Sequence, residues 1–131
     1  MSKILIIEDD NYTVKALQSR LEKENFEVIT AESGHRGLEL ARESSPLLIV
    51  LDLVMPDIDG LEVLEQLRQD VVTWDTPVVV LTARQDHESR ERSRQLGVLR
   101  FFRKPFSPKS LTREIKRLLL QIPPHLSGKT G

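Results

Sequence analysis

The chain has 131 residues, 39% of them hydrophobic and 30% charged, which suits one soluble globular domain with a real core. It contains no cysteine, excluding disulfides, a thiol nucleophile and cysteine-ligated metals. No apolar stretch approaches the ~18 residues that cross a membrane, and Met1-Ser2-Lys3 leads into a strand-like run rather than a signal peptide, so a cytoplasmic protein without membrane association is expected.

In chain order, Lys3–Ile7 is a short apolar run that stops at Glu8-Asp9-Asp10. Residues 11–24 place Val14, Leu17 and Leu21 on one helical face. Phe26–Thr30 reads as a strand, and Ser33-Gly34 opens a helix through about Glu43 that buries Leu38 and Ala41. Residues 47–51 (LLIVL) are apolar at every position and end at Asp52. Asp59 caps a helix whose Leu61, Leu64 and Leu67 face inward. Trp74, in the loop DVVTWDTP, is expected to pack against the sheet edge. Val78–Leu81 is the next apolar run, ending at Thr82. Gln85–Gln95 has no apolar residue, so the fourth helix has almost nothing to bury and should be the most mobile. Phe101-Phe102 is a short strand ending at Lys104-Pro105, and Leu111, Ile115, Leu118 and Ile122 mark a last helix from about Pro108 to Gln121. Leu118-Leu119-Leu120 is too apolar for one buried face, which points to helix extension into a further domain or to a dimer contact.

Five strand–helix units with runs apolar at every position indicate strands buried on both faces of a parallel sheet. The fold class is α/β: a five-stranded parallel sheet, order 2-1-3-4-5, with five helices on both faces, a (βα)5 three-layer sandwich. Residues 1–122 form the domain, and 123–131 (PPHLSGKTG) read as a linker or disordered tail.

In open α/β sheets, ligands bind beyond the carboxyl ends of the strands, where strand order reverses. In order 2-1-3-4-5 the polar ends Glu8-Asp9, Asp52, Thr82 and Lys104 are neighbours, and the plain end Thr30-Ala31 lies at the edge. Three clustered carboxylates need a cation, and an all-oxygen set suits Mg²⁺. Lys104 adds a fixed positive charge and Thr82 a hydroxyl. Such a set fits phosphoryl transfer onto a carboxylate oxygen. Asp52, on the central strand, is the favoured nucleophile, with Glu8 and Asp9 as metal carboxylates.

The segments IIEDD (6–10), LDLVMPDIDG (51–60), LTAR (81–84) and KPF (104–106), in that order and spacing, resemble the receiver domains of two-component response regulators, the chemotaxis-regulator-like fold. The resemblance covers about residues 2–122. It implies that Asp52 is the phosphoacceptor, with Mg²⁺ or Mn²⁺ held by Asp9, Glu8, Asp52 and the backbone carbonyl of Val54. It makes Thr82 and the Ala83 backbone N–H partners of the phosphoryl group, Lys104 the matching lysine, Lys104-Pro105 a cis peptide, and Phe101 the switch aromatic that follows Thr82 inward. The donor would be a phosphohistidine on a sensor histidine kinase or phosphotransfer protein. The chain would not be a conventional enzyme, but would catalyse its own phosphorylation and slow autodephosphorylation. Output would pass through the face of the fourth helix, fifth strand and fifth helix to a partner, an attached output domain, or a homodimer through that face or an extended fifth helix. Where the family often has Ala-Asp-Asp-Tyr, this chain has Val98-Leu99-Arg100-Phe101, so Phe101 would switch by shape alone. Val54 and Arg84 would flank the path of hydrolytic water, and an apolar Val54 cannot orient it, which implies a long-lived phosphoryl group.

Residues 1–83 carry 7 Lys/Arg against 16 Asp/Glu, a balance of −9, whereas residues 84–117 carry 11 against 4, a balance of +7. The basic segment reads either as solvated helix faces or as a docking surface for an acidic partner. Asp57-Ile58-Asp59-Gly60 lacks the remaining ligands of a calcium loop and reads as turn plus cap. His35, His87 and His125 read as surface residues. The arginines of RERSR (90–94) have no interleaved aromatic, and no helix-turn-helix follows residue 122, so direct nucleic-acid binding by this domain is not expected.

Overall fold

The computed structural model describes residues 2–122; the linker or tail expected over 123–131 lies outside the described residues. The elements alternate as β1 (Lys3–Ile7), α1 (Asn11–Lys23), β2 (Glu27–Ala31), α2 (Gly34–Ser44), β3 (Leu48–Leu51), α3 (Gly60–Gln69), β4 (Val78–Thr82), α4 (His87–Gln95), β5 (Arg100–Arg103) and α5 (Pro108–Gln121). All strand pairings are parallel, in the order β2-β1-β3-β4-β5 expected from the sequence.

The apolar runs lack a polar face because successive residues serve two cores. Ile4, Ile6, Leu48, Val50, Val79 and Leu81 pack with Val14, Leu17 and Leu21 of α1 and Leu111, Ile115 and Leu118 of α5. Their alternates Leu5, Ile7, Ile49, Leu51, Val78 and Val80 pack with Ala41 of α2 and Val63, Leu64 and Leu67 of α3. Slipping one strand by one residue would exchange the two sets.

Each helix starts on a side-chain cap: Asp10, Ser33, Asp59, Asp86 and Ser107 accept from backbone N–H groups of the first turn. Helix α4 differs on its inner face, where the fully buried positions are Ser89 and Ser93. Ser93 Oγ has no hydrogen-bond partner among the described residues. Arg92 of α4 reaches Glu65 of α3 at 2.9 Å, so polar contacts supply part of what apolar packing does elsewhere. Gly97, with φ +78°, turns the chain from α4 into β5.

Three expectations change. Trp74 is 57% exposed and does not pack on the sheet edge. It borders a surface groove with Pro77, Leu99, Leu118 and Ile122, because the turn at Asp70–Asp75 carries it outward. Leu38 is half-buried at the margin of the core, while Gly37, tight against Ile7, and Ala41 make the close approach of α2. Within Leu118-Leu119-Leu120, Leu118 is buried and Leu119 packs against the core, so Leu120 alone is exposed (87%).

Candidate functional site

The polar strand ends converge as the strand order requires. Asp52 N–H donates to the Ile7 carbonyl at 3.0 Å, locking the end of β3 against β1, and Lys104 N–H donates to the Thr82 carbonyl at 2.9 Å, doing the same for β5 and β4. These bonds set Glu8 and Asp52 side by side, both buried, with Asp9 exposed beside them. One carboxylate oxygen from each of Glu8, Asp9 and Asp52 falls within 4.8 Å of the others.

Lys104 Nζ crosses from the β5 side into this cluster. It donates to Glu8 Oε1 at 2.6 Å and to Asp52 Oδ2 at 3.0 Å, while Asp52 Oδ1 accepts from the Val54 backbone N–H at 3.0 Å. Both oxygens of Asp52 are therefore oriented, one by a cation and one by the loop that follows. Burial pushes the Glu8 carboxyl up to about 7, against the lowering pull of hydrogen bonds from Lys104 and the Asp10 N–H; the negative charge of Asp52 adds to the rise. Burial pulls the Lys104 ammonium down, but its hydrogen bonds to Glu8 and Asp52 and their charges outweigh this and hold it above the usual lysine range. The cluster has more negative than positive charge, and all its acidic donors are oxygens, so a small hard divalent cation fits.

Asp10 stands apart: its carboxylate caps α1, accepting from Thr13 Oγ1 at 2.5 Å, which leaves Glu8 and Asp9 as the pair facing Asp52. Thr82 is buried at the end of β4, with Oγ1 accepting from the Arg84 N–H at 3.2 Å; Ala83 follows it at the surface. Phe101 is half-buried, with the Arg90 guanidinium 4.9 Å above its ring. The Lys104–Pro105 peptide is cis. Val54 is 52% exposed.

Three contacts around the site were invisible in the sequence. Asp57, read as part of a turn, accepts from the N–H groups of Gly34 and His35 at 2.8 and 2.9 Å, capping α2 from across the loop. Arg84 forks onto both oxygens of Asp59, at 3.1 and 3.2 Å, so its guanidinium is tied to the start of α3. Arg68, half-buried, donates to the carbonyls of Leu96, Trp74 and Thr76 at 2.7, 3.1 and 2.8 Å, joining α3 to two loops. A cap residue bonding to the wrong helix, or an arginine bonding to carbonyls, has no local sequence signature.

Residues 4–116 match the family described as the response regulator receiver domain. The chain is 38% identical over 117 residues to the alkaline phosphatase synthesis transcriptional regulatory protein PhoP of Bacillus subtilis, a match covering 89% of this chain and 48% of that protein. The chain thus spans about half the length of the curated relatives it matches. Among solved structures, the non-phosphorylated HemR receiver domain of Leptospira biflexa superposes with a TM-score of 0.87 at 31% identity, covering 95% of this chain and 99% of that one. The Mn²⁺-bound form of the response regulator Rcp1 superposes with a TM-score of 0.79 at 26% identity, covering 94% and 98%.

Proposed function

We propose a phosphoryl-accepting role for Asp52 in this chain, which belongs to the response regulator receiver domain family, whose general function is phosphorylation-dependent signalling. The observation that carries the proposal is the position of Lys104 Nζ between Glu8 and Asp52, with Asp9 as a third carboxylate. The receiver domain spans residues 1–122.

Glu8, Asp9, Asp52 and the Val54 carbonyl would hold Mg²⁺ or Mn²⁺. When bound, the cation supplies neutralisation of phosphoryl oxygens. The Rcp1 structure, named for its Mn²⁺, supports such a site on this fold. Lys104 neutralises a further oxygen, while the Val54 N–H fixes the orientation of the Asp52 carboxylate. An Asp52 oxygen forms the new P–O bond as the P–N bond of a donor phosphohistidine breaks, its electron pair staying on the imidazole nitrogen. The donor is a sensor histidine kinase or a phosphotransfer protein, in the cytoplasm. The chain contributes catalytic groups to its own phosphorylation and to slow autodephosphorylation, without multiple turnover of an outside substrate.

After transfer, the Thr82 hydroxyl and the Ala83 N–H take phosphoryl oxygens. Thr82 leaves its bond with the Arg84 N–H, and Phe101 follows inward, changing the face of α4, β5 and α5. The test is acetyl phosphate with Mg²⁺, read by the mass of the intact protein, and beryllofluoride, read by amide chemical shifts. Wild type should gain one phosphoryl group and shift resonances in α4 and β5, and Asp52→Asn should do neither. An equal response in Asp52→Asn sinks the assignment.

A further inference from the structure

Trp74 is the chain's single tryptophan, and it stands 57% exposed on a turn whose carbonyl is held by Arg68. It forms one wall of a groove of about 480 Å³, with Pro77, Leu99, Leu118 and Ile122 as the other apolar walls. Pro77 precedes β4, and the Leu99 N–H donates to the Val78 carbonyl at 2.8 Å, so the groove opens at the amino end of β4. Asp52, Thr82 and Lys104 lie at the carboxyl ends of their strands, and the proposed phosphoryl chemistry makes no use of this surface. The cation of the groove, Arg68, is already bonded to the carbonyls of Leu96, Trp74 and Thr76. Apolar shape, rather than charge, therefore selects the occupant.

Helix α5 ends at Gln121, and Ile122 is extended, with φ −77° and ψ 128° and its N–H bonded to the Leu119 carbonyl. The chain thus leaves α5 from the wall of the groove itself, and the next residues are Pro123-Pro124-His125-Leu126. Proline restricts the residue before it to such extended backbone. Two prolines in succession favour the polyproline II helix, which rises ~3.1 Å per residue, so Leu126 falls within about 12 Å of Ile122. Aromatic-lined grooves bind segments of this kind because the prolines have little conformational freedom left to lose.

We propose that the groove is the seat of the chain's own segment Pro123–Leu126, with proline rings against the Trp74 indole and Leu126 completing the contact with Leu99. Attachment favours this occupant, since a short tether holds the segment at millimolar effective concentration. A second copy is disfavoured, because a stable dimer needs about 1,200–2,000 Å² of buried surface and this groove seats only a few side chains. The seated segment would fix the direction in which the chain leaves the domain, at the end of the sheet remote from Asp52. The inference stands apart from the phosphoryl reading and holds whether or not Asp52 is an acceptor.

The test reads Trp74 fluorescence in the full chain, which needs no label because no other tryptophan is present. Leu126→Asp and the pair Pro123→Gly, Pro124→Gly should each shift the emission to the red and raise acrylamide quenching by about twofold, as the indole loses its cover. Lys129→Ala, beyond the seated residues, should change neither. The substitutions leave both cores intact, and circular dichroism confirms the fold of each variant. A synthetic peptide PPHLSGKTG at about 1 mM, matching the effective concentration of a short tether, should restore the wild-type emission of Leu126→Asp. Emission and quenching of Leu126→Asp equal to wild type would overturn the proposal. So would cover of Trp74 that rises with protein concentration alongside a dimer in sedimentation, which would assign the groove to a second copy.

Discussion

Replacing Gly60 with alanine tests how tightly the candidate site is braced. The φ of Gly60 lies outside the left-handed region, so a side chain meets no conformational objection there. The obstacle is space: a Cβ would lie 2.3 Å from Leu53 Cα, 2.7 Å from the Asp52 carbonyl oxygen and 2.9 Å from the Leu53 carbonyl carbon. All three are backbone atoms and cannot rotate away. Ordinary contact begins at 3.4 Å, so α3 must retreat by about 1 Å from the loop that follows Asp52. Overpacking of this kind costs ~1–3 kcal/mol, and stretching the 2.8 Å bond from Gly60 N–H to the Leu53 carbonyl costs about 1 more. Alanine's smaller unfolded-state entropy returns ~0.5–1 kcal/mol. The net is roughly 2 kcal/mol, a fall in melting temperature of about 6–10 °C by calorimetry. Because the displaced loop carries Asp52 and Val54, acetyl phosphate uptake should also slow, on the order of tenfold or more. Gly97→Ala is the comparison: no atom lies within 4 Å, and φ is +78°. It should cost about 1 kcal/mol in strain and leave uptake unchanged. A Gly60→Ala protein that melts with wild type and takes up phosphoryl at the wild-type rate would refute the reasoning.

Arg68→Met should lower stability by about 1–3 kcal/mol in urea unfolding, since it leaves the part-buried carbonyls of Leu96 and Thr76 without their donor. The Asp57 carboxylate is held down to about 2, first by the His35 backbone N–H and also by those of Gly34 and Ile58. A lowered carboxyl stabilises the fold above the ordinary range near 4 and loses that contribution as pH falls toward 2. Thermal scans of Asp57→Asn should therefore show a deficit at neutral pH that narrows between about pH 4 and pH 2. In hydrogen–deuterium exchange, the α4 amides should exchange before those of α1, α3 and α5, because Ser89 and Ser93 give α4 so little apolar contact; slower exchange in α4 than in α5 would contradict this.

The architecture was legible because the core is built from runs too apolar to be anything but doubly buried strands, and Asp52 was conspicuous at the end of one of them. Helix limits were legible where caps and apolar spacing agree, as at Ser107-Pro108 and Leu111-Ile115-Leu118. Contacts that join distant segments were not. Asp57 lies beside a good cap, Asp59, yet bonds across 23 residues to Gly34. Arg68 looks like any outward arginine of a helix, and only the folded chain shows it among carbonyls. Trp74 misled because size suggests burial, while the turn that holds it faces outward. The inner face of α4 was overlooked because it is made of hydroxyls.

The position of β2 and β5 at the two borders of the sheet matters before the sheet exists. Every pairing is parallel and waits for a helix to cross over, so long segments such as LLIVL and VVVL must find partners across many residues and stay exposed meanwhile. In that interval another nascent chain is a competing partner. The finished β5 carries arginine at both ends, Arg100 and Arg103, and β2 opens on exposed Glu27. Borders charged in this way resist the addition of a foreign strand, and the protection against aggregation resides in RFFR and EVITA rather than in the core strands they enclose.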